Sequence, residues 1–297
     1  MSKIIKISVI LITKDRHNEL GKTLLSLNEQ DIDFELIVVD NGSSESPHEI
    51  VRKHWPKAIL IKLDRNEGVC RGRNEGIKAA NGDILVFLDD DASFAAPDAL
   101  SRILVRFKDT FDLGILATNS RLEATGEADT RAIPRRDKNT YENDYEASYF
   151  SGVGFALRRS LIEKTGRFFE KYFYACEELD LSWRTMDIGY RIIWAADIVV
   201  FHRRSPVEKT TRRWIYYNAR NRVWLAVRHL PWRYVTSYLV LWWGYLFVKA
   251  LKSSMMLDYF KGIVDCISGL PEIMKERRLL SDATLKLIRA SNGRLFY

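Results

Sequence analysis

Ile84-Leu85-Val86-Phe87-Leu88-Asp89-Asp90-Asp91 (84–91) is an unbroken apolar run that ends in three adjacent carboxylates. Apolar residues without alternation read as a strand buried on both faces of a sheet. Two earlier segments repeat the pattern. Ile4–Ile12 (IIKISVILI) runs into Thr13-Lys14-Asp15-Arg16, and Phe34–Val39 (FELIVV) runs into Asp40-Asn41-Gly42-Ser43-Ser44. Ile59–Leu63 is a further strand. Between them, Leu20, Leu24 and Leu27 give the stretch Glu19–Leu27 a helical apolar face. Arg71–Ala80 reads as a helix, with Asn81-Gly82 as its stop. Continuous strands alternating with helices predict an α/β fold, a mostly parallel sheet with helices on both faces. In such sheets ligands bind beyond the carboxyl ends of the strands, so Thr13, Asp40 and Asp89 to Asp91 should converge on one crevice.

After about residue 115 the pattern loosens. The polar stretch 119–146 reads as a long mobile connection or an acceptor-side excursion. Phe150–Leu157 resumes strand character, Tyr172–Gly189 carries CEELDLSWR on a helix, and Ile192–Phe201 is a strand pair or bend ending at His202.

The chain has 297 residues, 46% hydrophobic, 29% charged and 12% aromatic, which excludes a disordered or collagen-like chain. Three scattered cysteines rule out a disulfide framework and point to a reducing compartment. The N-terminal apolar run lacks a small-residue cleavage site and is expected to be a first strand, not a signal peptide. Net charge is +7, unevenly placed. Residues 203–297 carry 18 Lys and Arg against 6 Asp and Glu, whereas residues 1–202 carry 28 against 33. A mildly acidic body with a basic tail is expected to meet an anionic partner.

Three neighbouring carboxylates repel one another, and a hard divalent cation bound to phosphate oxygens would neutralise Asp89, Asp90 and Asp91. His202 can complete that site as a neutral imidazole. A second acidic cluster, Glu177, Glu178 and Asp180, opens the CEELDLSWR helix, and Asp180 can pair with Arg184 one turn on. Like charges beside Glu178 would raise its pKa toward general-base duty. No GxxxxGK[ST], GxGxxG or Gly-x-Ser-x-Gly pattern is present, which argues against an NTPase, an NAD-dependent dehydrogenase or a serine hydrolase.

From about Lys6 to Pro231 the chain resembles glycosyltransferase family 2, the inverting GT-A enzymes, and within it the rhamnosyltransferase-like branch. The resemblance rests on SVILITKDR (8–16), ELIVVDNGSSE (35–45), RNEGVCRGRNEGIKAANGD (65–83), FLDDDA (87–92), SGVGFALRRS (151–160), CEELDLSWR (176–184), GYRI (189–192) and VVFHRRS (199–205), in that order. It implies a GT-A catalytic domain over 1–231, a nucleotide-sugar donor and Mg²⁺ or Mn²⁺. Thr13 and Asp40 match strand ends that hold nucleobase and ribose, and Arg73 matches the basic residue that reaches the base or diphosphate. Asp89 and Asp91 match the outer positions of the Asp-x-Asp motif, with Asp90 between them at the donor and Asp91 foremost as direct metal ligand. Gly152, in Ser151–Gly154, would lie near the donor sugar. Glu178 matches the second acid of a Glu-Asp pair that serves as base. The pair here is Glu-Glu, so Glu177 and Glu178 both stand as candidates, with Asp180 in the same cluster. The resemblance implies transfer from dTDP-rhamnose or a UDP-sugar to a hydroxyl of a glycan or lipid-linked acceptor, in cell-surface polysaccharide synthesis. The alternative reading is a catalytically inactive nucleotide-sugar-binding or scaffold protein of the same fold.

Residues 232–297 read as a helical extension. Tyr234–Leu251 (YVTSYLVLWWGYLFVKAL) is apolar and aromatic, flanked by Arg228, Arg233, Lys249 and Lys252, but short and diluted for a bilayer span. Trp242 and Trp243 suit an interface. Met256, Phe260, Ile263, Val264 and Ile267 trace one helical face, and Asp258, Lys261 and Asp265 the other. This favours peripheral attachment to the cytoplasmic face of a membrane; a homo-oligomer interface and a true span are the other readings. Nucleic acid is excluded as a partner, because the acidic crevice would repel its phosphates.

Overall fold

The computed structural model describes residues 5–135, 137–139, 141–203 and 211–291. Its centre is a nine-stranded sheet. Strands β1 (Ile7–Thr13), β2 (Glu35–Asp40), β3 (Ile59–Lys62) and β4 (Ile84–Asp89) lie parallel in the order β3-β2-β1-β4. Helices α1 (His17–Asn28), α2 (His48–His54) and α3 (Gly68–Ala79) make the crossovers. The register pairs Thr13 with Asp40 and Ile12 with Asp89, so the three strand ends finish level with one another. That level edge is where the sequence reading places the crevice.

Beyond β4 the sheet becomes mixed. Strand β5 (Ala92–Phe94) follows the three aspartates and leads into α4 (Ala99–Asp109). β6 (Leu113–Leu122), β7 (Tyr145–Ala147), β8 (Gly154–Arg158) and β9 (Arg191–His202) complete it. β8 lies antiparallel between β4 and β6, and β5 and β7 run antiparallel to β9. β9 is a single strand, parallel to β6, with a register shift where Ala195 gives way to Val199. The bend expected near 192–201 is this irregularity. The stretch 119–146 is not a loose excursion: residues 119–122 belong to β6, and Asp129, Ala132 and Ile133 are buried. α3 stops just before Asn81-Gly82, as expected, through an extended Ala80 and not a left-handed glycine cap. Gly82 is needed for space instead, since a Cβ there would lie 2.5 Å from the Ser8 backbone nitrogen.

Helices α5 (Arg159–Thr165) and α6 (Glu177–Asp187) pack on the sheet, and α7 (Arg212–His229) leads into α8 (Trp232–Lys252), α9 (Met256–Lys275) and α10 (Asp282–Ala290). One apolar core runs from Ile10, Phe87 and Phe155 in the sheet through Trp183 to Trp224, Trp242, Ile273 and Leu285 in the helices. α7 and α9 approach closely at two glycines: a Cβ at Gly262 would lie 2.5 Å from the Tyr216 carbonyl, and one at Gly269 would lie 2.4 Å from the Trp224 ring.

The helices correct part of the expected membrane face. Trp242 is buried, with the Arg222 guanidinium 3.4 Å from its ring centre, and Trp243 donates its indole N–H to the Ala219 carbonyl at 2.9 Å. Both rings bind α8 to α7. Asp265 accepts from the Tyr216 hydroxyl at 2.5 Å and also faces α7. The exposed apolar residues include Val240, Leu241, Phe247, Val248 and Leu251 on α8 and Leu257, Phe260, Val264, Ile267 and Met274 on α9. Among the described residues no helix is long and apolar enough to cross a membrane.

Candidate active site at the strand ends

A cleft of about 470 Å³ opens at the carboxyl ends of β1, β2 and β4, lined by Thr13, Asn41, Asp89, Asp90, Gly152, Glu177 and Glu178 among others. Its acidic wall is built by the strand-to-turn transition after Leu88. Asp90 turns toward β1, where its carboxylate accepts from the Thr13 hydroxyl at 2.8 Å and from Arg16 at 2.9 Å. Asp89 and Asp91 meet His202 at the end of β9, with one ligand atom of each within 4.8 Å of the others, while the Asp91 Oδ2 also accepts from Arg16 at 2.5 Å. The His202 Nδ1 faces buried Asp129 at 3.1 Å, which leaves Nε2 toward Asp91 at 3.5 Å. A carboxylate on one ring nitrogen with the other facing the cluster is the arrangement that orients a metal-bound histidine.

Burial and crowding shift the charges of this cluster, in which Arg16 and His202 both face Asp91. Burial and the neighbouring aspartates push Asp89 up to about 7, against the pull of Arg73. Burial pulls His202 down, but bonds to Asp129 and Asp91 outweigh it and hold the ring near 9. Two oxygens and one imidazole nitrogen, unevenly charged and close together, fit a hard divalent ion such as Mg²⁺ or Mn²⁺.

Opposite Asp89 lies the group built on α3 and α6. Arg73 is buried, its guanidinium 5.3 Å from the ring centres of Phe155 and Phe168. Its Nη1 stands 3.5 Å from both Glu177 and Glu178. One cation thus serves two carboxyls. Glu177 has a buried oxygen without a hydrogen-bond partner, and burial together with the Glu178 charge pushes it up to about 8. Glu178 is more open and lines two cavities, the cleft and a pocket of about 170 Å³ that includes Arg131, Ser151 and Leu179. Gly152 lies between the partners: a Cβ there would lie 2.4 Å from an Arg73 nitrogen and 2.5 Å from a Glu178 oxygen.

Two expected site residues stand apart. Asp180 lines neither cavity. Its carboxylate is fully buried and accepts from Arg184 at 2.7 Å, His229 at 2.7 Å, Tyr172 at 3.2 Å and also from Arg228. The expected Asp180–Arg184 pair is therefore present, as part of a larger knot beneath the base of the cleft. Asp40 is fully buried, with one oxygen capping the Ser43 N–H and the other without a partner. Its neighbour Asn41 is the residue that reaches the cleft.

Sequence reasoning missed several cleft residues. Lys14 and Arg16 lie in the polar cluster that ends β1, and Asn66 in a turn before α3. Tyr174 and Arg213 come from segments distant in sequence. Arg213 stacks on Tyr174, its guanidinium 4.1 Å from the ring centre. Asp129 carried no signal, because its role depends on a β6 hairpin folding back to His202. Of VVFHRRS, residues 204 and 205 lie outside the described residues.

The family described as Glycosyl transferase family 2 matches residues 8–166, more than half of the chain. The chain belongs to this family. Glycosyltransferase AglE of Haloferax volcanii is 26% identical over 210 residues, 67% of each chain. GalNAc(5)-diNAcBac-PP-undecaprenol beta-1,3-glucosyltransferase of Campylobacter jejuni is 27% identical over 176 residues, 57% of this chain and 56% of that protein. A stretch of 102 residues is 39% identical to the glycosyltransferase YfnE of Bacillus subtilis, but this is only 33% of the chain and 26% of that protein. The chain thus spans between about a quarter and two thirds of these relatives' lengths. Among solved structures, S. aureus TarS 1-349 in complex with UDP-GlcNAc superposes with a TM-score of 0.62 at 17% identity, covering 98% of this chain and 88% of that one. The mannosyltransferase PcManGT of Pyrobaculum calidifontis, with GDP-Man and Mn2+, superposes at 0.59 with 19% identity, covering 100% and 82%. These likenesses establish the GT-A fold.

Proposed function

We propose that this family 2 protein is a metal-dependent inverting glycosyltransferase that moves a sugar from a UDP-sugar or dTDP-rhamnose to a hydroxyl of a glycan or lipid-linked acceptor in cell-surface polysaccharide synthesis. The observation that carries the reading is one cleft with Asp89 on one wall, backed by its cluster with buried Asp91 and His202, and Arg73 with Glu177 and Glu178 on the other.

Asp89, Asp91 and His202 would hold Mg²⁺ or Mn²⁺, which when bound supplies positive charge to the donor's diphosphate. Arg73, Lys14 and Arg213 also line the cleft and offer fixed positive charge where the leaving diphosphate gains negative charge. Asn41 and Asn66, at the ends of β2 and before α3, are placed to receive the nucleoside, with Thr13 and Asp40 as supports. Glu178 reaches both cavities, so a hydroxyl entering from the smaller one meets its carboxylate before it meets the donor. Glu178 accepts the hydroxyl proton as the oxygen attacks the anomeric carbon. The bond to the diphosphate breaks on the opposite face and its electron pair leaves with the diphosphate, inverting the centre. Neutral Glu177 beside it keeps the single Arg73 charge available to Glu178.

In this reading residues 1–231 form the catalytic unit and 232–297 attach it, on the cytoplasmic side, to a membrane carrying the acceptor. The exposed apolar residues of α8 and α9, with exposed Lys252, Lys261 and Lys275 near them, support peripheral attachment to anionic lipid. The Campylobacter relative, whose name gives an undecaprenol-linked acceptor, supports it too.

The test is calorimetric titration with UDP-, dTDP- and GDP-sugars, with Mn²⁺ and with excess chelator, alongside transfer assays of Glu178→Gln. Metal-dependent binding of one nucleotide class, with transfer abolished and donor binding kept in Glu178→Gln, is the expected result. Absence of binding in the presence of metal would favour the inactive scaffold, and near-normal turnover in the variant would remove Glu178 as base.

A further inference from the structure

The largest cavity described is not the cleft. A recess of about 710 Å³ lies among the second half of α3, α5, the loop 165–170 and the residues just after α9. It belongs to the opposite end of the sheet: α5 follows β8, whose last residue Arg158 pairs with Ile84, the first residue of β4. Lys78, Arg159, Arg167, Arg184, Arg228 and Arg278 line it, against three glutamates. One of these acids, Glu170, is already taken by Arg71 at 2.9 Å and Asn74 at 2.8 Å.

The excess of positive charge is structural. In the inner wall, Arg184 and Arg228 converge on a single carboxylate, Asp180. Two guanidiniums share one carboxylate, with Glu276 acting on Arg228 from farther off, and a buried charge short of counter-charge is costly. Arg228 also keeps a buried Nε without a hydrogen-bond partner. Arg159 spends its donors on the carbonyls of Gly82 and Ala80, and its charge acts on Glu35, which lies outside the recess lining. At the mouth, Arg167 and Arg278 are exposed and form no side-chain hydrogen bond or ion pair among the described residues. Six cations against three glutamates, one of them already paired, leave this concave surface net positive, and arginines so placed match the geometry and charge of phosphate oxygens.

We propose that this recess is a second anion site, separate from the cleft, that binds a phosphate group: either a lipid headgroup or a free phosphate or pyrophosphate. Exposed Met274 and Leu279, on either side of Arg278 in sequence, would suit the first source by meeting acyl chains beside the headgroup. The inference does not depend on which sugar is transferred, or on transfer itself.

Two arms test it on the full chain with divalent ions chelated. In the first, inorganic pyrophosphate is titrated calorimetrically into wild type, into R167Q/R278Q and into the charge control K57Q/K108Q, whose exposed lysines line neither the recess nor the cleft. In the second, the same proteins are sedimented with phosphatidylcholine vesicles with and without phosphatidylglycerol. Affinity about tenfold lower in R167Q/R278Q, with K57Q/K108Q like wild type, is expected in at least one arm. A fall confined to pyrophosphate assigns the free anion, and one confined to phosphatidylglycerol assigns the headgroup. Both variant side chains are exposed, and an unchanged circular dichroism melt verifies that the double variant folds. Wild-type affinity of R167Q/R278Q in both arms, or an equal fall in K57Q/K108Q, would overturn the proposal.

Discussion

Glu177 and Glu178 are neighbours in sequence but not in environment. Glu177 points into the protein beside Arg73, and its pKa is raised to about 8 from an unfolded value near 4.3. The folded state therefore keeps a proton that the unfolded state gives up, and the stability this provides is present below pH ~4.3 and lost as pH rises toward ~8. Glu177→Gln cannot titrate. Its stability relative to wild type should grow as pH rises from about 5 to about 9, measured by urea denaturation at each pH. An advantage that does not change with pH would show that Glu177 is ionised in the native cleft. Gly152 tests the same pair from the other side. Arg73 is fixed between two phenylalanine rings and cannot easily retreat from an added methyl. Gly152→Ala should lower kcat on the order of a hundredfold, as a misplacement near 1 Å does, and cost ~1–3 kcal/mol of stability from overpacking, read as a lower thermal midpoint.

At the level of elements, α6 decides the site. Its first turn carries Glu178 out to the cleft and Glu177 to buried Arg73 in the cleft wall, and two residues beyond Glu178 Asp180 turns back to Arg184, Arg228, His229 and Tyr172. These partners come from α6 itself, from α7 and from the segment before α6, so the knot holds the helix that presents the base against the helix that opens the C-terminal region. The surrounding cations hold the Asp180 carboxyl well below the usual range, against the cost of burial. Asp180→Asn removes the charge and leaves the guanidiniums facing one another. It should cost ~3–5 kcal/mol in chemical denaturation, in the range for breaking a buried ion pair. Residual activity at low temperature would distinguish this positioning role from proton transfer by Asp180 itself.

Across the whole molecule, the sheet and the C-terminal helices share one core, and this sets which apolar residues are left outside. Phe260 and Val264 on α9 are exposed and touch neither the cleft nor the recess. Phe260→Asp together with Val264→Asp should reduce sedimentation with anionic vesicles by about tenfold or more, given ~1.5–3 kcal/mol for each large apolar side chain buried. Donor binding should be unchanged. If vesicle binding persists while the sedimentation-equilibrium mass falls, the same face is an oligomer contact.

The parallel half of the fold was legible in the sequence because each strand is a local event: β1, β2 and β4 are apolar runs that stop at polar residues, and their crossovers are periodic helices. The two acidic clusters were legible for the same reason, as short runs at the ends of predicted elements. What needed the tertiary structure was every relation set by long-range pairing. Sequence spacing alone could not show that Asp129 returns to His202, that Arg213 reaches the cleft, or that Trp242 faces α7. Nor could it separate Asp180 from the two glutamates beside it. Local chemistry determined which residues gather at the strand ends. Burial, which depends on the whole chain closing around one core, decided which of those carboxyls face the cleft, which one keeps its proton, and which one serves as the anchor for two arginines.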